Sequence, residues 1–275
     1  MSRDDTPGLM TARVFRHDGA SRESVEDRVA VEEPLEIRIA GETLAVTMRT
    51  PGHDAELVMG LLLSEGIVRS AAEVGGIAHC GKPGELGNVI EVTSAPGSVI
   101  DWDPEGALRR TTLTTSACGV CGRRSIDDLF ARAGRIDDDA RFPAEWLRGL
   151  TSELGLRQAN FASSGGAHAA GLWDATGQLY VVREDVGRHN AVDKVVGRCA
   201  LDGRLPARKM ALVVSGRASF ELVQKAIVAQ IPLLVSVSAP SSLAIAAAQR
   251  NNLTLVGFAR GQRFNVYSGE QRIAP

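Results

Sequence analysis

Two thiols three positions apart, in Ser116-Ala117-Cys118-Gly119-Val120-Cys121-Gly122-Arg123-Arg124, are the residues of this chain whose spacing most directly implies chemistry. A glycine follows each, and glycine takes positive φ without steric penalty, so the loop can turn both sulfurs toward one point. The thiolate is the reactive form, and neighbouring cations such as Arg123 and Arg124 lower a thiol's pKa. A Cys-x-x-Cys has three common uses: half of a zinc site, a redox dithiol, or a nucleophile that carries sulfur. Four threonines and a leucine at 111–115 lead into the motif, which places it on a loop. Loops suit a group that must meet partners.

A closed zinc site takes four Cys/His ligands, and no second Cys-x-x-Cys is present. Zinc deaminases place His-x-Glu ahead of Pro-Cys-x-x-Cys. Here Ala117 precedes Cys118 and no His-x-Glu exists. Zinc hydrolysis is therefore disfavoured, with Cys118, Cys121, Cys80 and His79 the ligands if a metal were held. A thioredoxin-type dithiol opens a helix near the chain start, which a mid-chain Gly-rich loop fits poorly. Cys199 lies on an apolar helical stripe and reads as an inert core thiol.

A second constellation sits at strand ends. Four Val- or Leu-rich strands are each followed by hydroxyls, glycines and arginines: Arg183–Asn190, Ser215-Gly216-Arg217-Ala218-Ser219, Ser238–Ser242 and Phe258–Arg263. Ligands of open α/β sheets gather at such ends and at the adjoining helix N-termini. This composition suits phosphates or another polyanion. No Gly-x-Gly-x-x-Gly or Walker loop is present, and Ser219, Ser241 and Ser242 read equally well as helix caps. His189 is the better acid/base or pocket candidate of the two histidines here, with Asp185 either holding its imidazole or capping the helix. His168, in a Gly/Ala-rich turn leading toward a possible helix, reads first as a packed histidine.

The elements that position these residues fall into two groups. Leu35–Ile39 and Leu44–Met48 alternate around Ala40-Gly41 as a β-hairpin. A helix follows over 53–65, with acidic residues at its start and Gly66 as its stop. Asn88–Ser94 is a further strand. In the second half, strands at Leu179–Val182, Lys209–Val214, Leu233–Ser238 and Leu253–Phe258 alternate with helices at Asn190–Leu201, Ser219–Gln230 and Ser241–Asn251. That order predicts an α/β fold whose mostly parallel sheet is covered on both faces. The division expected is a flexible arm over 1–30, an α+β domain over 31–141 ending in the cysteine loop, and an α/β domain over 142–275. The 275 residues suit about two domains, or one large α/β domain.

A net charge of −2 gives no reason to expect nucleic acid or an anionic membrane as partner. No signal-peptide pattern opens the chain and no apolar run is long enough to cross a bilayer, so an intracellular protein is expected.

Together, Cys118-Gly119-Val120-Cys121-Gly122, Gly165-Gly166-Ala167-His168, Glu184-Asp185-Val186-Gly187-Arg188-His189-Asn190-Ala191-Val192-Asp193-Lys194, Ser215-Gly216-Arg217 and Gly257-Phe258-Ala259-Arg260-Gly261 resemble the formate dehydrogenase accessory sulfurtransferases, the FdhD family. Thr50-Pro51-Gly52-His53-Asp54 resembles that family's N-terminal block. The resemblance implies a cytoplasmic homodimer whose second half is a cytidine-deaminase-like three-layer α/β domain without the zinc chemistry. It implies that a cysteine desulfurase passes sulfur to Cys118 as a persulfide, with Cys121 assisting. The sulfur then goes to the molybdenum (or tungsten) bis(molybdopterin guanine dinucleotide) cofactor of formate dehydrogenase, bound as substrate, with no permanent cofactor of the protein's own. The family's cofactor-binding stretch maps onto Phe258, Ala259, Arg260, Gly261, Gln262 and Arg263. Arg260 and Arg263 suit phosphates, and Phe258 either stacks on a ring or fills the core. Ser215, Arg217 and His189 are further candidates for that pocket. The competing readings are a non-catalytic cofactor-binding chaperone and a metal-dependent hydrolase.

Overall fold

A computed structural model of the chain describes residues 2–3, 8–81, 87–102 and 134–275. Cys118 and Cys121 lie outside the described residues. Ser2–Arg3 (β1), Leu9–Asp18 (β2) and Ser21–Ala30 (β3) form an antiparallel sheet in that order. Residues 1–30, expected as a loose arm ending in a strand, contain a hairpin of two ten-residue strands. Charge hides its strand period: Arg13 faces Glu26 and Arg16 faces Glu23 across the ladder, so residues that resemble a solvated tail are cross-strand partners.

Glu33–Ile39 (β4) and Glu42–Arg49 (β5) form the expected hairpin, turning at Ala40 and Gly41, both at positive φ. Asp54–Ser64 (α1) follows, and Gly66 (φ 67°) ends it. Val74–Cys80 (β6) and Val89–Ser94 (β7) complete a sheet of order β5-β4-β7-β6.

The remaining elements are Phe142–Pro143 (β8), Ala144–Gly155 (α2), Ala159–Ser164 (α3), His168–Asp174 (β9), Leu179–Asp185 (β10), Arg188–Leu201 (α4), Met210–Val214 (β11), Phe220–Val228 (α5), Leu233–Ser236 (β12), Ser242–Arg250 (α6), Thr254–Arg260 (β13), Arg263–Ser268 (β14) and Ile273–Ala274 (β15). Six of these strands form one sheet, ordered β10-β9-β11-β12-β13-β14. The sheet is mixed, not mostly parallel. Only β11, β12 and β13 run parallel, because α5 and α6 supply the crossovers that parallel neighbours need. The tight turns between β9 and β10 and between β13 and β14 allow only antiparallel return. The Gly/Ala-rich turn expected around His168 gives way at His168 itself to a strand, β9, and not to a helix.

Helices cover both faces. Leu147, Leu150 and Leu154 of α2 pack with Ala211, Val213, Leu233, Val235 and Val256 on one side. On the other, α4, α5 and α6 share a core with Leu172, Leu212, Val214, Leu234 and Leu255. Helix α1 and the inner face of β4 and β7 belong to this same core, so it runs unbroken through both halves of the chain. Residues 134–141 join the second half: Ile136 N–H donates to Asn251 O at 2.9 Å, and Asn252 Nδ2 donates to Ile136 O at 2.9 Å. Among the described residues no helix is long and apolar enough to cross a membrane.

Candidate functional site

Because β11, β12 and β13 are parallel, their carboxyl ends lie along one edge of the sheet. The end of β10 and the beginning of β9 join them, since Asp185 pairs with His168 and Ala170 with Val214. This single rim carries His189, Ser215, Arg217 and the Phe258–Arg263 stretch, residues scattered over the second half of the sequence.

Their side chains do different things. Ser215 Oγ accepts from Ala169 N at 2.9 Å while Ser215 N donates to Ala169 O at 3.0 Å, so this serine extends the β9–β11 pairing. Arg217 is exposed. A bulge between Gly257 and Arg260 turns Phe258 outward: its φ is 52° and it remains 44% exposed, which removes the core-filling alternative. Ala259 points the opposite way into the α2 core, and its carbonyl accepts from Thr151 Oγ1 at 2.8 Å. Arg260 lies back along the rim, its Nε donating to Val237 O at 3.1 Å. Gly261 (φ 56°), Gln262 and Arg263 form the exposed turn into β14.

His189 Nε2 lies 3.4 Å from Ser219 Oγ and 3.8 Å from Glu221 Oε2. The neighbouring His189 imidazole, with Glu221's own N–H and the Ser219 hydroxyl, holds the Glu221 carboxyl down at about 2, against the opposing effect of its burial. Asp185 does not hold this imidazole. It is fully buried and accepts from Gly187 N at 2.8 Å, Asn190 Nδ2 at 3.0 Å and Thr50 N at 3.1 Å, and pairs with Lys194 Nζ at 2.7 Å. Lys194 also donates to Thr50 O at 2.9 Å, and Val186 N donates to Thr50 Oγ1 at 3.1 Å. The Thr50 and Glu184–Lys194 motifs therefore meet as a buried joint beneath the rim.

Three residues outside the expected set complete the rim. His168 and Arg188 flank Gly216: a Cβ there would stand 3.6 Å from His168 Nδ1 and 3.9 Å from Arg188 Cδ. Burial, then the Arg188 and His189 charges, push the His168 imidazole down, with Asp185 opposing. Glu221 is the third. Helix-start arginine and glutamate look like ordinary surface charge, so only the topology singles them out. Cys199 is the inert thiol expected, its pKa pushed up to about 12 by burial. His79 Nε2 lies 3.3 Å from Asp54 Oδ2, and among the described residues no three His, Cys, Asp or Glu side chains gather as a metal site.

The FdhD/NarQ family model matches residues 30–274. The chain belongs to this family. It is 49% identical over 255 residues to the sulfur carrier protein FdhD of Streptomyces avermitilis, covering 90% of this chain and 89% of that one. The FdhD sulfur carrier of Nocardia farcinica is 47% identical over 274 residues, covering 97% and 96%. The crystal structure of a candidate formate dehydrogenase accessory protein from Desulfotalea psychrophila superposes with a TM-score of 0.77 at 27% identity, covering 98% of this chain and all of that one. Membership in the FdhD/NarQ family thus rests on nearly the whole chain, including both the buried joint and the rim.

Proposed function

We propose that this protein is a sulfurtransferase that takes sulfur from a cysteine desulfurase as a persulfide on Cys118. It delivers that sulfur to the bis(molybdopterin guanine dinucleotide) cofactor destined for formate dehydrogenase. The gathering of five loop ends into one rim, with arginines, backbone donors and an outward aromatic ring, carries the cofactor half of this reading. A nucleotide-bearing polyanion needs cationic donors for its phosphates and a flat apolar face for its bases. Phe258 offers that face, and Arg217, Arg260 and Arg263 supply positive charge around it. Membership in the FdhD/NarQ family, whose relatives are named sulfur carriers, supports the thiol half.

The chemistry is thiol exchange. The Cys118 thiolate attacks the terminal sulfur of the donor's persulfide, and the donor leaves as a thiolate. Attack by Cys121 on the Cys118 persulfide then forms a disulfide and releases hydrosulfide beside the bound cofactor; a cellular thiol reductant resets the pair. The sheet with helices on both faces is read as the deaminase-like domain, and the acting species as a cytoplasmic homodimer.

Intact-mass spectrometry after incubation with a cysteine desulfurase and cysteine tests this reading. A reducible gain of one sulfur, ~32 Da, that is lost in Cys118→Ala is expected. Absence of any gain in wild type, with the desulfurase shown to be active, would replace the sulfurtransferase by a cofactor-binding chaperone.

A further inference from the structure

The rim contains one guanidinium whose donor is held ready and unused. Arg188 Nε is buried and has no hydrogen-bond partner among the described residues. A buried unpaired donor on a charged group is costly, and in a native structure it calls for an explanation. The nearby carboxylates do not supply one. Asp185 is engaged by Lys194 at 2.7 Å, and Glu221 faces His189. Arg260, the arginine that the sequence favours for a phosphate, has its Nε donating to a backbone carbonyl instead.

The surroundings of Arg188 favour an anion. It opens α4, whose N-cap Gly187 offers no side-chain acceptor to the free N–H groups of the first turn. The neighbouring helix α5 begins at Ser219, whose hydroxyl likewise makes no cap bond. The positive end of the fourteen-residue α4 thus lies beside the guanidinium without a side-chain cap, whereas the first turn of α5 is taken up by the Glu221 carboxylate, which accepts from its own N–H and from Ser219. Gly216 lies against it without a side chain, and across Gly216 stands His168.

We infer that Arg188, with His168 and the Gly216 backbone, forms the diphosphate-binding end of the rim, so that the nucleotide runs from Phe258 at β13 toward α4. This assignment rests on the cofactor reading above. Arg188 would contribute the fork of donors that fixes the diphosphate, while Arg260 serves as a distant charge.

The test compares wild type, Arg188→Gln, Arg188→Lys and Arg260→Gln by calorimetric titration with guanosine diphosphate and with guanosine. Wild type is expected to prefer the diphosphate, and Arg188→Gln to erase about tenfold or more of that preference while guanosine binding stays the same. Arg188→Lys should fall between them, because it keeps the charge and loses the fork. Arg260→Gln should lose less. Undiminished diphosphate preference in Arg188→Gln overturns the assignment. Inorganic pyrophosphate, with the Arg188 Nε resonance followed by NMR, separates the two readings. A shift on pyrophosphate without guanosine diphosphate binding would uphold the anion site and sink the cofactor reading, whereas an unmoved resonance would sink the anion site itself.

Discussion

Gly60 and Gly197 mark the point where α1 and α4 cross with their backbones in contact. A Cβ on Gly60 would stand 2.0 Å from Asp193 O, and one on Gly197 would stand 1.8 Å from Glu56 O. Neither clash can be relieved by a rotamer, because the obstructing atoms are main chain. The crossing joins the first half of the chain to the helix that begins at the rim. Gly60→Ala and Gly197→Ala should each destabilise the protein by about 3 kcal/mol, the upper range for overpacking. Thermal unfolding should register each as a fall of several degrees, at roughly 2–4 °C per kcal/mol for a chain of this size.

Asp185 and Lys194 form a buried pair whose removal is predicted to be asymmetric. Lys194→Met leaves a fully buried carboxylate facing three neutral donors, a loss expected to cost about 3–5 kcal/mol. Asp185→Asn combined with Lys194→Met removes both charges, so the double variant should be more stable than Lys194→Met alone. Urea unfolding midpoints of the two variants decide this. A double variant as unstable as the single one would mean that the pair's geometry, not its charge, holds Thr50 against α4.

The parts of this fold that could be read from the sequence are those with one strong period. The alternation of Leu35–Ile39 and the apolar stripes of α1, α4 and α5 report their burial directly. β9 escaped because Gly171 and small alanines carry little hydrophobic signal; a side chain at Gly171 would meet the Trp173 ring at 2.5 Å, so packing excludes the larger residues that usually announce a strand. The β2–β3 hairpin escaped because its exposed ladder is paired through charge. At the rim, residue types pointed to Ser215, Arg217 and Phe258–Arg263, but type alone gives no direction. Ala259 turns inward and the half-buried Arg188 holds its Nε unpaired, and both facts follow from the β13 bulge and the start of α4, which no local pattern encodes.

Glu56 makes the joint between the halves sensitive to acid. Burial raises its carboxyl, but the Arg183 fork at 2.6 and 2.8 Å and the nearby His53 outweigh this, bringing the group from 4.5 to about 2. A carboxyl depressed on folding stabilises above its unfolded value, and that contribution disappears as pH falls through the folded value. The Glu56 contribution should therefore be complete above about pH 4.5 and fade toward about pH 2. Glu56→Gln should lower the urea midpoint at pH 6 and flatten its slope between those limits. An unchanged slope would assign the acid sensitivity to other carboxyls.

Phe258 sets stability against binding at a single position. At φ 52° a residue with a Cβ is strained by about 1 kcal/mol or more, a penalty that glycine does not carry. The ring is 44% exposed, so its deletion forfeits only part of a buried phenylalanine's worth. Phe258→Gly should therefore unfold at an equal or higher temperature than Phe258→Ala, since both lose the ring and only glycine relieves the backbone. Both should bind guanosine diphosphate more weakly than wild type if the ring stacks on the base. A strained, outward aromatic that no packing demands is otherwise hard to account for. Wild-type affinity in both variants would remove Phe258 from the binding rim and leave its conformation without a functional cause.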